Sequence, residues 1–310
     1  MEIKKLVADF ARRVDAENLP CEAVTVYQGD KYVVGHRWVE DRPRNIYSHT
    51  KSFTSTAVGL AIGDGLLSLD DKPAEFFPEA LPDEPAPEWA EVRLRHMLTM
   101  GSGIGESLLM EDDRRKGVGS PDYVQFVFSH SFQYAPGTHF HYSNGNTYLA
   151  GRMVEKATGK DLSAYLTERI FAPLGIPEPR WERCPKMHAF GAGGMWLRTD
   201  DMLKLGRLYL KDGKWNGIRL LDPSWIAMAT TKKLDTPPFE NGTGLSCGYG
   251  YQFWMCPYPG AYRADGKYTQ YTVVLPEADA VIGVQCSEAE PERTNAVQVA
   301  LHEELLSQIR

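Results

Sequence analysis

Residues 46–63 read IYSHTKSFTSTAVGLAIG, a polar stretch that gives way to an apolar one within a few positions. Ser48 and Lys51 stand three apart at the changeover. On a helix that spacing puts both side chains on one face, with Cβ atoms ~5–6 Å apart. A serine at a helix's first turn faces unpaired backbone N–H groups and the positive end of the dipole, which favour developing negative charge. Its hydroxyl is a poor nucleophile until a base removes the proton. A lysine meets that need only when burial or a neighbouring cation lowers its pKa. The apolar run Phe53, Ala57, Leu60, Ala61 supplies burial. The plainer reading is a capping serine beside a solvated lysine, since SxxK arises by chance in many chains.

A second stretch bears on that choice. PGTHFHYSNGNTYLAGRMVEKATGK (136–160) sets Tyr142 and Asn144 two apart, ahead of a helix expected from about Asn146 to Ala157 and stopped at Gly159. A phenol beside a lysine ammonium is expected to have a lowered pKa and to share or relay the serine's proton. An amide two residues on can hold a substrate carbonyl or orient the lysine.

Around these stretches the pattern is α+β. An N-terminal amphipathic helix (Ile3, Leu6, Val7, Phe10, Val14) precedes strands at Glu22–Gln28 and Lys31–Trp38, joined at Gly29-Asp30. Residues from about 60 to 190 read as helices between Pro- and Gly-rich loops. Thr199 looks like the cap of a helix carrying Met202, Leu205 and Leu208. Strands return at Gly248–Cys256, Tyr271–Leu275 and Ala280–Cys286, and a last helix carries Val297, Leu301, Leu305 and Ile309. The expected architecture is an antiparallel sheet domain from residues 1–60 and 190–310, flanked by N- and C-terminal helices. A mostly helical insert (61–189) completes it, with the site in the cleft between.

Composition narrows the partners. The 310 residues carry a formal net charge of −7, which argues against a nucleic-acid or anionic-membrane surface as main partner. No stretch approaches the ~20 apolar residues of a bilayer span. Five cysteines without CxxC or zinc-type spacing are expected to be free thiols in a reducing cytoplasm.

YSHTKSFTS, LRHMLTMGSGI (94–104), PGTHFHYSN, GAGGMWLRTDDMLKLGRLYL (191–210) and YRADGKYTQYTVVLPE (262–277) resemble, in order, the serine β-lactamase and penicillin-binding-protein superfamily. The nearest branch is that of class C β-lactamase-like serine hydrolases, esterases included. The resemblance implies a β-lactamase/transpeptidase-like fold and no cofactor. It makes Ser48 the acylated nucleophile, Lys51 its proton partner, Tyr142 the general base and Asn144 its polar companion. The third motif, usually Lys-Thr-Gly or His-Ser/Thr-Gly on a sheet-edge strand, falls on Ala264-Asp265-Gly266. The N–H groups of Ser48 and Lys267 would then form the oxyanion hole.

Ala264 cannot supply the cation that anchors a β-lactam or D-Ala-D-Ala carboxylate. Strand alternation is expected to turn Arg263, Asp265 and Lys267 away from the face of Ala264 and Gly266. An uncharged small-molecule ester or amide is therefore the expected substrate, ahead of a β-lactamase or carboxypeptidase activity. A binding or sensor module that acylates slowly, or not at all, is the alternative from a different class. Thr269 replaces a glycine common in the family.

Other constellations compete weakly. GLSCG (244–248) offers Ser246 as a rival nucleophile, but a polar loop precedes it, a strand-like run follows, and His302 is the only later histidine. His139 and His141 lack a third metal ligand. His49 is expected to pack beside the site. MEDDRRKGVG (110–119) reads as a solvated loop or a cover over the cleft.

Overall fold

The computed structural model describes residues 2–237 and 246–309. Its strands are β1 (Cys21–Gln28), β2 (Lys31–Arg37), β3 (Arg44–Asn45), β4 (Trp196–Leu197), β5 (Lys214–Trp215), β6 (Ile218–Arg219), β7 (Trp254–Met255), β8 (Tyr262–Gly266), β9 (Gln270–Leu275) and β10 (Ala280–Cys286). Six form one antiparallel sheet in the order β2-β1-β10-β9-β8-β7, so the two ends of the chain meet where β1 pairs with β10. Pairs such as Val24↔Val284 and Val281↔Val274 fix the register.

The central strands are apolar at nearly every position because both faces are covered. On one face Val24, Val26, Val273, Ile282 and Val284 meet Val7 and Phe10 of the helix Glu2–Ala16, and Val297, Leu301 and Leu305 near the C-terminus. On the other, Ala264, Val274 and Val281 meet Phe53 and Ala57 of the helix Thr50–Gly63, and Met202 and Leu203 of the helix Thr199–Leu210. That second helix lies close: a Cβ added at Gly206 would stand 2.5 Å from Thr272 Cγ2. The helix Asn144–Thr158 packs across Thr50–Gly63 and ends at Gly159, whose φ of 68° is the left-handed stop the sequence announces.

Three local expectations need correction. Gly248–Cys256 is a strand only at Trp254–Met255, because Gln252 turns the backbone to φ 66° and spends its side-chain amide on the carbonyls of Met97 and Leu98. Thr199 lies inside its helix and caps nothing; its hydroxyl donates to Gln285 Oε1 at 2.8 Å. β8 is next to the edge rather than at it, although β7 covers only Tyr262 and Arg263. None of the five cysteines is in a disulfide among the described residues. Among the described residues no helix is long and apolar enough to cross a membrane.

Candidate active site

Ser48 sits in a short 3-10 turn, Tyr47–His49, that runs into the helix Thr50–Gly63, and Lys51 occupies that helix's first turn. Residues 50–61 are buried all round, so the lysine has no route to solvent and is 1% exposed. Its Nζ lies 3.0 Å from Ser48 Oγ, 2.6 Å from Asn144 Oδ1 and 2.6 Å from the carbonyl oxygen of Ala192, and 4.9 Å from the centre of the Tyr142 ring. Asn144 is oriented by its own Nδ2, which donates to Leu109 O at 2.9 Å. Folding thus gathers Ser48, Lys51, Tyr142 and Asn144 from two helix starts.

Burial drives the Lys51 pKa well below the usual lysine value; nearby Arg114 adds to the fall and Asp265 opposes it. The Tyr142 phenol moves the other way. Burial raises its pKa, a hydrogen bond with Ser48 pulls it back in part, and the negative field of Asp265 raises it further. The expected lowering of this phenol fails because it presumed an ammonium beside the ring. Burial of the phenol outweighs its neighbours, and burial of Lys51 works against the charged form of the amine.

The third motif is rearranged. Ala264 is buried in the core at 2% exposure, while Asp265 and Lys267 line the cavity with Ser48, Tyr142 and Asn144. Alternation does separate them from Ala264. However, β7 pairs with β8 only at Tyr262 and Arg263, and the Asp265 and Lys267 side chains reach the cleft. Gly266 brings β8 against the nucleophile turn: a Cβ there would stand 2.1 Å from Ile46 O. Thr269 holds a left-handed backbone, with φ 58°, a conformation that glycine adopts most readily.

The nucleophile turn is braced by residues that the motifs do not announce. Tyr47 holds φ 47°, its N–H donates to Asn45 Oδ1 at 2.9 Å, and its hydroxyl donates to Glu288. Its ring meets that of Tyr268 edge-on at 5.2 Å, and Tyr268 is itself left-handed at φ 61°. The neighbours of Ser48 and Lys267 therefore support each other. Such sparsely populated backbone costs of order 1–3 kcal/mol per residue and persists where its surroundings over-determine it.

The cavity measures about 350 Å³. Trp254 stacks beside Tyr142 at 6.1 Å, and Met110 and Phe190 add apolar wall. Residues 111–115 are helical, and Glu111, Asp112 and Arg114 line the cavity, which makes this segment part of the site rather than a solvated loop. The cations that line it, and the buried Arg263 beside Asp265, are matched. Arg263 pairs with Asp265 at 2.7 Å, Arg114 with Glu182 at 3.0 Å, and Lys267 lies 3.8 Å from Glu111.

The competing candidates fall elsewhere. Ser246 Oγ lies 2.8 Å from Thr236 Oγ1 and donates to Pro237 O; Gly244 and Leu245 of its motif lie outside the described residues. His302 pairs with Tyr258 at 2.5 Å. His139 stacks on Tyr134, and His141 lies 3.2 Å from Ser107 Oγ. His49 is fully buried, with Nε2 2.9 Å from Thr272 Oγ1 and Nδ1 unpartnered, and burial pushes its pKa down to about 3.

That burial has a measurable consequence. Unfolding releases a histidine that protonates near pH ~6.5, so stability is full above that value and is lost as pH falls towards the folded pKa. Between neutrality and about pH 5 the loss from this residue is about 2 kcal/mol. Urea unfolding of wild type and His49→Gln at both pH values checks it: the variant's stability is expected to depend less on pH by that amount.

Comparison with known proteins identifies the family. The family model described as Beta-lactamase matches residues 6–306. A lovastatin esterase of Penicillium rubens is 31% identical over 156 residues, 43% of this chain and 38% of that protein. A D-aminopeptidase of Brucella anthropi is 28% identical over 223 residues, 59% of this chain and 41% of that protein. The matched stretches thus span well under half the length of either relative. A solved structure, a putative 6-aminohexanoate-dimer hydrolase from Bacillus anthracis, superposes with a TM-score of 0.77 at 21% identity, covering 95% of this chain and 82% of that one. On the match of the family model, the chain belongs to the beta-lactamase family of hydrolase fold.

Proposed function

We propose that the protein is a serine hydrolase acting through an acyl-enzyme on a small-molecule ester or amide that is uncharged next to the scissile bond. The observation that carries this reading is the environment of Lys51 Nζ. Two of its three neighbours, Asn144 Oδ1 and Ala192 O, can only accept hydrogen bonds. A neutral amine has two N–H groups, which those oxygens use, and one lone pair, which is left for the Ser48 hydroxyl at 3.0 Å. Lys51 is thus the base in this mechanism. Ser48 Oγ bonds to the substrate carbonyl carbon as its proton passes to Nζ, and the carbonyl electron pair moves onto oxygen. The N–H groups of Ser48 and Lys267 receive that oxyanion. When the carbonyl re-forms, the bond to the leaving group breaks. That group takes the proton from Lys51 through Tyr142, whose raised pKa keeps it a protonated relay. Water then attacks the ester by the same route.

The charge matching around the cavity supports the substrate class. With Arg263, Arg114 and Lys267 each facing a carboxylate, a β-lactam carboxylate beside Ser48 finds no spare cation among the described residues. A panel of p-nitrophenyl esters, nitrocefin and D-amino-acid amides tests this, with a fluorophosphonate probe located by peptide mapping. Esters or amides are expected to be turned over and the label to sit on Ser48. Nitrocefin hydrolysis matching the best ester would overturn the substrate class, and a label elsewhere would overturn the mechanism.

Gly266 gives a second check. Gly266→Ala must push β8 away from Ile46 and carry the Lys267 N–H with it. Losing one oxyanion donor costs about 10²–10³-fold in kcat. A drop of that size with a melting temperature within a few degrees of wild type is the expected result; undiminished kcat would place the oxyanion elsewhere.

A further inference from the structure

A second groove, of about 530 Å³, adjoins the catalytic cavity and shares Asn45, Glu111, Arg114, Glu182 and Gly194 with it. In a chain of net charge −7 this groove is lined by four arginines, Arg114, Arg115, Arg180 and Arg183, against two glutamates. Three of the arginines are neutralised: Arg114 by Glu182 at 3.0 Å, Arg115 by Glu111 at 2.6 Å, and Arg183 by Asp161 at 2.8 Å. Arg180 differs. Its guanidinium lies over the Trp196 ring at 4.8 Å and has no carboxylate partner among the described residues. Its position is set by the backbone, because Trp196 N–H donates to Arg180 O at 2.9 Å and Trp196 pairs with Asn45 in the β3–β4 ribbon that leads to Ser48.

We propose that this groove is a distal subsite for an anionic group of the substrate, a carboxylate read by Arg180. A guanidinium stacked on an aromatic face keeps its planar edge free, and that edge matches a carboxylate's two oxygens. The stacking also limits the side-chain entropy lost on pairing. The inference rests on the hydrolase reading and extends it: the substrate is uncharged at the reacting carbonyl, where every cation is matched, and negative at its far end. Both features follow from the same pairing pattern.

The test needs no turnover. Suberic acid monoamide and octanamide share a chain length and differ in one terminal carboxylate. Calorimetry with Ser48→Ala protein is expected to show tighter binding of the anion, by about tenfold, shrinking as salt is raised. Adding Arg180→Gln should erase the difference, and Arg180→Lys should restore part of it. Equal binding of the two amides, or a preference that survives Arg180→Gln, overturns the subsite. Turnover then separates the two proposals. Mono-p-nitrophenyl suberate against p-nitrophenyl octanoate reads an acyl-side anion, and 4-carboxyphenyl octanoate against the phenyl ester reads one on the leaving group. An Arg180-dependent ratio of kcat/KM in either pair supports the subsite. Ester turnover without such a ratio in both pairs sinks the subsite and leaves the hydrolase standing.

Discussion

Ser48→Ala is expected to lower kcat/KM for a p-nitrophenyl ester by about 10⁴-fold or more, with the fold intact. In the proposed mechanism the atom removed is the one that forms the acyl bond, and no neighbour can replace it. Lys51 Nζ is held by three oxygens, and Tyr142 is a protonated phenol in a buried site. The residual rate comes from the oxyanion donors and from binding, neither of which needs the hydroxyl. Because Ser48 is partly exposed at the cavity floor, losing its hydroxyl removes its hydrogen bonds with Lys51 and Tyr142 and little packing. Stability is therefore expected to change by no more than about 2 kcal/mol. Steady-state kinetics with a fluorophosphonate label as a second readout checks both parts. Ser246→Ala is the companion control, and its activity is expected to equal wild type. Retained hydrolysis in Ser48→Ala would remove the acyl-enzyme mechanism. Saturable binding with no turnover by the unaltered protein would instead favour a binding or sensor module built on this fold.

Much of the site was legible because its chemistry is carried by side chains at helix starts. Ser48 with Lys51, and Tyr142 with Asn144, are short-range patterns whose spacing survives folding, and the helices behind them announce themselves by apolar run and glycine stop. The largely apolar core strands were equally readable, as β9 and β10 show. What the sequence concealed lies in backbone groups and tertiary edges. The Ala192 carbonyl that orients Lys51 has no side-chain signature, although it lies in GAGG, within one of the stretches that carry the family resemblance. The cleft-facing role of Asp265 and Lys267 depends on β7 being two residues long, which follows from the turn at Gln252 and its bonds to residues some 150 positions away. The Tyr142 pKa was misjudged for a related reason: its direction is set first by burial of the phenol, a tertiary property. Tyr47 and Glu288 are 241 positions apart, and only the β1–β10 closure brings them together.

Lys51→Met is expected to cost about 10³-fold in kcat/KM, within the range for removing a general base. The methionine fills similar volume but leaves Asn144 Oδ1 and Ala192 O without their donor, about 1–3 kcal/mol each. That loss is offset by no longer burying an amine. The pH dependence separates base from spectator. Because the folded pKa of Lys51 lies well below its ordinary value, the neutral amine is present above the lowered pKa and vanishes as pH falls through it. Wild-type log kcat/KM should then fall on the acid side with a slope of about one. The same shift makes the unfolded chain hold more protons than the folded one up to pH ~10.4, so wild type should gain stability over Lys51→Met as pH rises towards that value. Lys51→Arg places a permanent charge there, cannot release a proton and should be as inactive as the methionine variant. If activity instead rises on the alkaline side, and Tyr142→Phe abolishes that rise, the base is the phenolate and the neutral lysine only positions it.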